Sequence, residues 1–540
     1  WGGDHGNPTA CSVLPDGMLL AWDGCEFGWG IIKVDAEGRK QWGSKTQALL
    51  LANDGRRFFA YDPHGFQAAE GIQVFDVADG RPLNFGNGKP LLQAPEGGDK
   101  ASNHATGLAV GAGKLFVSYA KRGLICVFDS TSGDLKSSWQ VPAPGVLAVR
   151  PDGTLLAVSE GSLVSIREGK ATPLGQTGVL DQPNGIALRA DGAIYISNQG
   201  QRQDIAVLDA GGKLVRRIGK PGGRPAVGAY DARGLYQPSG LALDAQGRLW
   251  VAEHADSPKR ISVWDSASGS FLREFFGGCS YFAHAYVNPA IPDEIFCHNV
   301  LWRIDWEKKT TTPLSTIWRK TAPDMMEEAA PDAYHGQFRS ITASNGLQYA
   351  TGGGNLKTIV FRREGNVFKP FLATFHVSRG WSLWRALGIP DLDDAAQTPD
   401  GSYFWQDAND DQRVQMSEVH RFKDKNLRLN LRAMAPDLTL WAGGYLLKPV
   451  KVLENGQPVY DPEKLEKNFL AGTPHAGGYL WLDPAGGVYT HTTGQRPSLA
   501  KWSADGKMEW GYPSIVRWHD ALSMPVVKAG RLHGMTGPPS

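Results

Sequence analysis

The sequence predicts an all-β chain. It reads as a β-propeller of about seven four-stranded blades, followed by further blade-like β units that either form a second, incomplete propeller or extend or cap the first. Three observations carry this. A unit of about forty residues recurs along the first part of the chain. Short apolar or alternating runs are separated by Gly, Asp and Ser turns every ten or so residues. And 66 Gly, 34 Pro and 18 Trp occur in 540 residues with no long helical period, as many turns and aromatic packing between stacked sheets require.

The clearest copy of the unit is Gln237 to Gly277, QPSGLALDAQGRLWVAEHADSPKRISVWDSASGSFLREFFG. It holds four runs: Gly240–Leu243, Arg248–Ala252, Arg260–Trp264 and Ser270–Phe276. Asp244–Gly247 and Asp265–Gly269 lie between runs and supply the backbone conformations that tight hairpins need. Such spacing argues for an antiparallel sheet. One sheet of this size cannot bury enough surface alone and must stack on copies of itself. A second clear copy is Gln182 to Gly219, with the same Q-P-x-G opening, the same D-G turn and the same V-L-D ending of its third run. Weaker copies open at Thr106 (TGLAVGAGKLFVSY) and Gly145 (GVLAVRPDGTLLAVS), and the ending recurs as Val74-Phe75-Asp76 and Val127-Phe128-Asp129.

These residues resemble the NHL-repeat propellers, whose blades open P-x-G-(I/L)-A and continue D-x-x-G-x-(I/L)-(Y/W)-(V/I). The likeness is close over 182–277 and loose over the rest of the first 320 residues. A more distant resemblance is to lactonase-like propellers. They hold a channel calcium on Glu, Asn and Asp, and only Asn184 and Asn198 stand in suitable places here. The scaffold implies a fold and no single activity.

In chain order, residues 1–42 read as a first blade and 45–89 as a second. A third runs from the Gly/Asp/Lys-rich stretch near Glu96 to about Val141. Residues 144–176, 182–219 and 237–277 follow, and 282–319 (containing EIFCHNVLWRIDW) make a divergent seventh. This gives a first domain over 1–320. Residues 321–334 are acidic, Pro-containing and short of β-branched residues, and read as a linker. The strand rhythm resumes over 335–540 without the repeat motif.

Formal net charge is +1, so no field for nucleic acid is implied. No stretch is long enough to span a membrane. The chain starts at Trp1, which suggests processing or truncation. Five Cys are too few for a disulfide scaffold. Cys11 with Cys25, or Cys279 with Cys297, are the pairings open to neighbouring strands, beside the plain alternative of buried thiols. An extracellular or periplasmic location is expected.

Two constellations carry chemistry. The first is Asp407 to Glu418, DANDDQRVQMSE. Asp407, Asn409 and Asp411 stand at positions one, three and five of a calcium loop, Arg413 supplies a carbonyl at seven, and Glu418 a carboxylate at twelve. The stretch resembles an EF-hand loop, with Gln412 in place of the turn glycine. The expected cofactor is one structural Ca²⁺. The alternative is an acidic, solvated turn.

The second is histidine placement. His104, His284, His335 and His475 each precede an expected innermost strand, where Asn184 and Ser239 stand in the clear repeats. Loops leading into innermost strands line one mouth of a propeller channel. His104, His335 and His475 there would serve as transition-metal ligands or a general base, with Asn184, Ser239 and His284 as ligand-binding neighbours. His5 and His254 lie near other loops. Propeller-based polysaccharide lyases and hydrolases use such arrangements, so this resemblance implies a carbohydrate-active enzyme. The competing expectation is a calcium-stabilised binder of a glycan or protein partner, without catalysis. Trp381, Trp384, Trp405, Trp441, Trp481, Trp502, Trp510 and Trp518 crowd the second half. They suit either sugar stacking or packing between blades.

Overall fold

The computed structural model describes residues 6–24, 29–63, 71–255, 257–277, 285–297, 299–317, 338–353, 357–377, 401–411, 415–424, 427–483, 486–492 and 497–512. Among them the regular elements are β-strands and a few single 3-10 turns. The chain divides into two compact units. One is formed by Trp1–Ala226 and Tyr230–Phe282, the other by Val227–Ala229 and Ala283–Ser540.

Six sheets make up the described part of the first unit, each from one contiguous stretch and with its strands in chain order, save that Leu91–Leu92 in the second pairs back on Gly71–Asp76. Their innermost strands are Pro8–Leu14, Leu50–Asn53, Gly107–Gly111, Pro144–Val149, Pro183–Leu188 and Pro238–Leu243. Each touches the next, and the sixth touches the first, so the sheets close a ring. An apolar cluster fills every one of the six seams. The closing seam packs Cys11, Met18, Leu20, Trp22 and Ile32 of the first blade against Trp250, Ala252, Ile261 and Val263 of the sixth. A strand between two seams is covered on both faces, which is why Leu155–Ser159 and Ile194–Asn198 are buried throughout and are apolar up to their polar last residues. The D-x-x-G turns work as the sequence implies. Asp244 accepts hydrogen bonds from the backbone of Gln246 and Arg248, and Gly247 takes φ +74°, the left-handed region that glycine tolerates.

The ring therefore closes on six blades, where the sequence pointed to about seven. Once Pro238–Leu243 lies against Pro8–Leu14, no seam remains for another sheet. The strands expected within 282–319 do form, as Ala285–Val287, Glu294–Cys297, Val300–Asp305 and Thr310–Thr316, but their sheet belongs to the second unit.

In that unit Gly228–Ala229 edges the 285–316 sheet. A six-stranded sheet runs from Arg339–Thr342 to Val419–Arg421. A four-stranded sheet combines Ala433–Met434, Leu440–Ala442, Tyr445–Leu447 and Glu466–Lys467, and another spans Tyr479–Leu482 to Met508–Tyr512. Aromatic residues fill its cores, among them Phe338, Phe361, Phe375, Tyr403 and Trp405 in one cluster.

Candidate functional site

The P-x-G openings build one mouth of the first ring. Pairing of the innermost strand slips at this point in four blades, between Pro8 and Ala10, Pro144 and Leu147, Pro183 and Gly185, and Pro238 and Leu241. Such bulges re-aim a strand end. The residues just ahead of three of these prolines, Ala143, Gln182 and Gln237, take φ of 37°, 51° and 52°. Side chains other than glycine hold that conformation at a cost of about 1–2 kcal/mol each, and such strain collects at functional sites. Buried hydroxyls then staple blade to blade. Thr9 Oγ1 donates to Ala48 O (2.6 Å), Thr106 Oγ1 to Pro144 O (2.6 Å), Ser197 Oγ to Ser239 O (2.8 Å) and Ser239 Oγ to Thr9 O (2.9 Å). Gly240 has no room for a side chain, since a Cβ there would lie 2.4 Å from Ala10 Cα.

All six innermost strands begin at a cavity of about 450 Å³. Its walls are largely backbone and aliphatic, with Leu50, Leu108, Leu147, Ile186 and Leu241 among them. Two polar side chains at its edge remain outside the staples. Asn184 is exposed. His254 pairs across the closing seam with Asp23, Nε2 to Oδ2 at 2.6 Å, and Asp23 Oδ1 accepts the Asn7 N–H at 2.7 Å. Burial works against charge on the imidazole, but Asp23 outweighs it and lifts the pKa above the ordinary 6.5.

A buried ion cluster fixes the adjoining loop. Glu253, fully buried, accepts from Arg224 Nη1 (2.5 Å), from the Tyr236 N–H (3.2 Å) and from Arg260 Nη1. Arg260 also donates to Glu274 at 2.6 Å, which takes the Tyr230 hydroxyl at 2.5 Å. Burial opposes the Arg260 charge, but Glu253, Tyr230 and Glu274 hold its pKa above the usual guanidinium value. The equivalent place in the fifth blade carries Asn198, Asp204 and Arg217, linked at 2.7 and 3.0 Å.

Of the expected site residues, Asn184 and Ser239 line this cavity, but Ser239 is a seam staple rather than a ligand group. His104 lies in the first unit, just ahead of Ala105, which lines the cavity. His475 lies in the second unit. His475 is held by the Thr490 and Thr492 hydroxyls at Nδ1 (2.9 and 3.1 Å) and meets the Trp502 ring edge-on. Burial, then the neighbouring His491, lowers its pKa. His284, His335 and His5 lie outside the described residues, as do Trp381, Trp384 and Trp518. Trp405 and Trp502 are core residues, whereas Trp510 is exposed. Cys11 is a buried free thiol, raised by burial to a pKa of about 12, and Cys25 lies outside the described residues.

The Asp407–Glu418 loop has the oxygen donors that suit a hard cation, but its side chains engage N–H groups. Glu418 accepts from Trp405 Nε1 (3.1 Å) and the Ala408 N–H (2.9 Å), and Asp411 accepts from Asn409 Nδ2 (3.2 Å) and Gln415 Nε2 (2.5 Å). Asp407 is buried, and Asp410, at φ +60°, faces Arg362 at 3.3 Å. Arg413 lies outside the described residues. Among those described, no three His, Cys, Asp or Glu side chains converge as metal ligands. No helix among them is long and apolar enough to cross a membrane.

The Asp23–His254 pair escaped the sequence, because 231 residues separate its members and neither stands in a local motif.

No protein-family model and no curated protein matches the chain. Solved structures do. A structural-genomics protein of unknown function from Bacteroides thetaiotaomicron aligns at 15% identity with a TM-score of 0.35, over 47% of this chain and 70% of that one. A chain of a nidogen/laminin complex aligns at 14% identity and a TM-score of 0.35, over 50% of this chain and 93% of that one.

Proposed function

We propose that the first unit is a binding propeller that takes a polar group of a glycan or protein partner at the mouth of its channel. The observation that carries this is the convergence of all six innermost strands on one cavity edged by Asn184 and the His254–Asp23 pair. Apolar walls with a few placed polar groups are the usual make-up of a ligand pocket. An extracellular or periplasmic setting and calcium support of the Asp407–Glu418 loop belong to the same reading. For calcium, the spacing of hard oxygen donors is the support. Asn184→Trp tests the proposal, because it fills the mouth and leaves every staple in place. Wild-type protein retained on a glycan or protein array, and the variant retained at least tenfold less with unchanged Tm, is the expected outcome. Equal retention of both refutes the site.

A carbohydrate-active enzyme is the second reading, favoured by one observation, a carboxylate-backed imidazole beside the cavity. It predicts turnover of a polysaccharide panel that His254→Gln abolishes. An inactive wild type leaves only the binder.

A further inference from the structure

The second unit holds a cavity of about 720 Å³ whose charge is one-sided. Arg428, Arg432 and Lys467 line it, and no carboxylate does among the described residues. The run Leu427 to Arg432 explains the arrangement. Its residues alternate, so Leu429 and Leu431 enter the core while Arg428, Asn430 and Arg432 line the cavity. The facing wall is backbone brought close by glycine. A Cβ on Gly443, at φ +60°, would lie 2.3 Å from Ala476 O, and one on Gly444 would lie 2.8 Å from Ala471 Cα. Asn468 Nδ2 braces this wall on Gly443 O at 2.8 Å.

Arg432 is the telling residue. Its Nε is buried without a hydrogen-bond partner, and its Nη2 reaches only Gly477 O at 3.3 Å. Burial pulls its pKa below the ordinary guanidinium value, opposed by the Tyr479 phenol alone. Its carbonyl receives a second guanidinium, that of Arg339, at 3.2 Å. Arg432 is half-buried, charges drawn out of water in folded proteins are normally paired, and here the described chain supplies no anion.

We propose that this cavity binds an acidic sugar, a uronate-bearing oligosaccharide, with its carboxylate on Arg428, Arg432 and Lys467. A guanidinium fork matches a carboxylate in two parallel hydrogen bonds. The remaining lining of Asn430, Tyr445 and glycine-exposed backbone suits hydroxyl groups and a ring face. Its other apolar side chains, Ala442, Ala471 and Ala476, are too short to make the deep recess that a peptide's hydrophobic anchor needs. The site lies within the second unit and does not rest on the reading of the first.

Calorimetric titration of the full chain with trigalacturonate tests this. Maltotriose, a glutamate-rich peptide and inorganic sulfate serve as comparisons. Trigalacturonate should bind, at least tenfold tighter than maltotriose, and weaken as salt is raised. Arg428→Gln and Lys467→Gln, both at exposed positions, should each weaken binding about tenfold with Tm unchanged. Arg432→Gln should abolish binding without lowering Tm, because it removes a half-buried charge that has no carboxylate partner among the described residues. Asn184→Trp should leave this binding intact. No binding of trigalacturonate, equal binding of maltotriose, sulfate bound as tightly, or variants that bind like wild type would each overturn the site. Tighter binding of the acidic peptide would overturn the sugar assignment.

Discussion

Single side chains decide how firmly the first ring holds its loops. Glu253 is the sole carboxylate that both Arg224 and Arg260 reach, and all three are buried. Glu253→Gln leaves two guanidinium groups in the interior with one compensating charge at Glu274. The expected loss is about 3–5 kcal/mol, read as a lower midpoint in urea unfolding, with little sensitivity to salt. At this scale the sequence speaks unevenly. Ser239 was visible as a repeat position, yet its role as a staple depends on Thr9 O in another blade. His475 looked like a channel histidine because it precedes a strand, but Thr490 and Thr492, well downstream, hold it. The run Leu427-Arg428-Leu429-Asn430-Leu431-Arg432 alternates apolar with polar residues, which gives it one cationic face. Nothing local told that this face meets a cavity.

Strands and turns were the most readable level, for a physical reason. Bulged P-x-G openings and D-x-x-G turns need particular residues at particular places, so they repeat in the letters wherever they repeat in space. Loops that answer to no repeat are harder. The Asp407–Glu418 stretch matches a calcium pattern in composition, while Glu418 already bridges Trp405 and Ala408. The calcium proposal gives a clear expectation. Millimolar Ca²⁺ should raise the unfolding temperature of the wild-type chain, and Glu418→Gln should remove the rise. A wild-type transition indifferent to both calcium and chelator would leave the loop a self-supporting turn.

At the scale of the whole first ring, the closing seam carries a titrating pair, His254 with Asp23. The His254 pKa is raised in the folded state. Its contribution is therefore fully present below the unfolded imidazole value of about 6.5 and is lost as pH climbs through the higher folded value. The unfolding temperature should fall over that window, and Asp23→Asn should flatten the dependence. An unchanged pH profile in the variant would mean that the pair does not tune the seam. The miscounted blade belongs to this scale too. The strands of 285–316 were readable one by one, but which sheets stack together is decided by faces that meet across long separations. A last consequence follows from each blade being one unbroken stretch of chain. No sheet in the ring borrows a strand from another, so a gene segment encoding one blade is also one mechanical part. Copying such a segment would add a complete sector with its own strands and turns, so a ring of this design can change size by duplication.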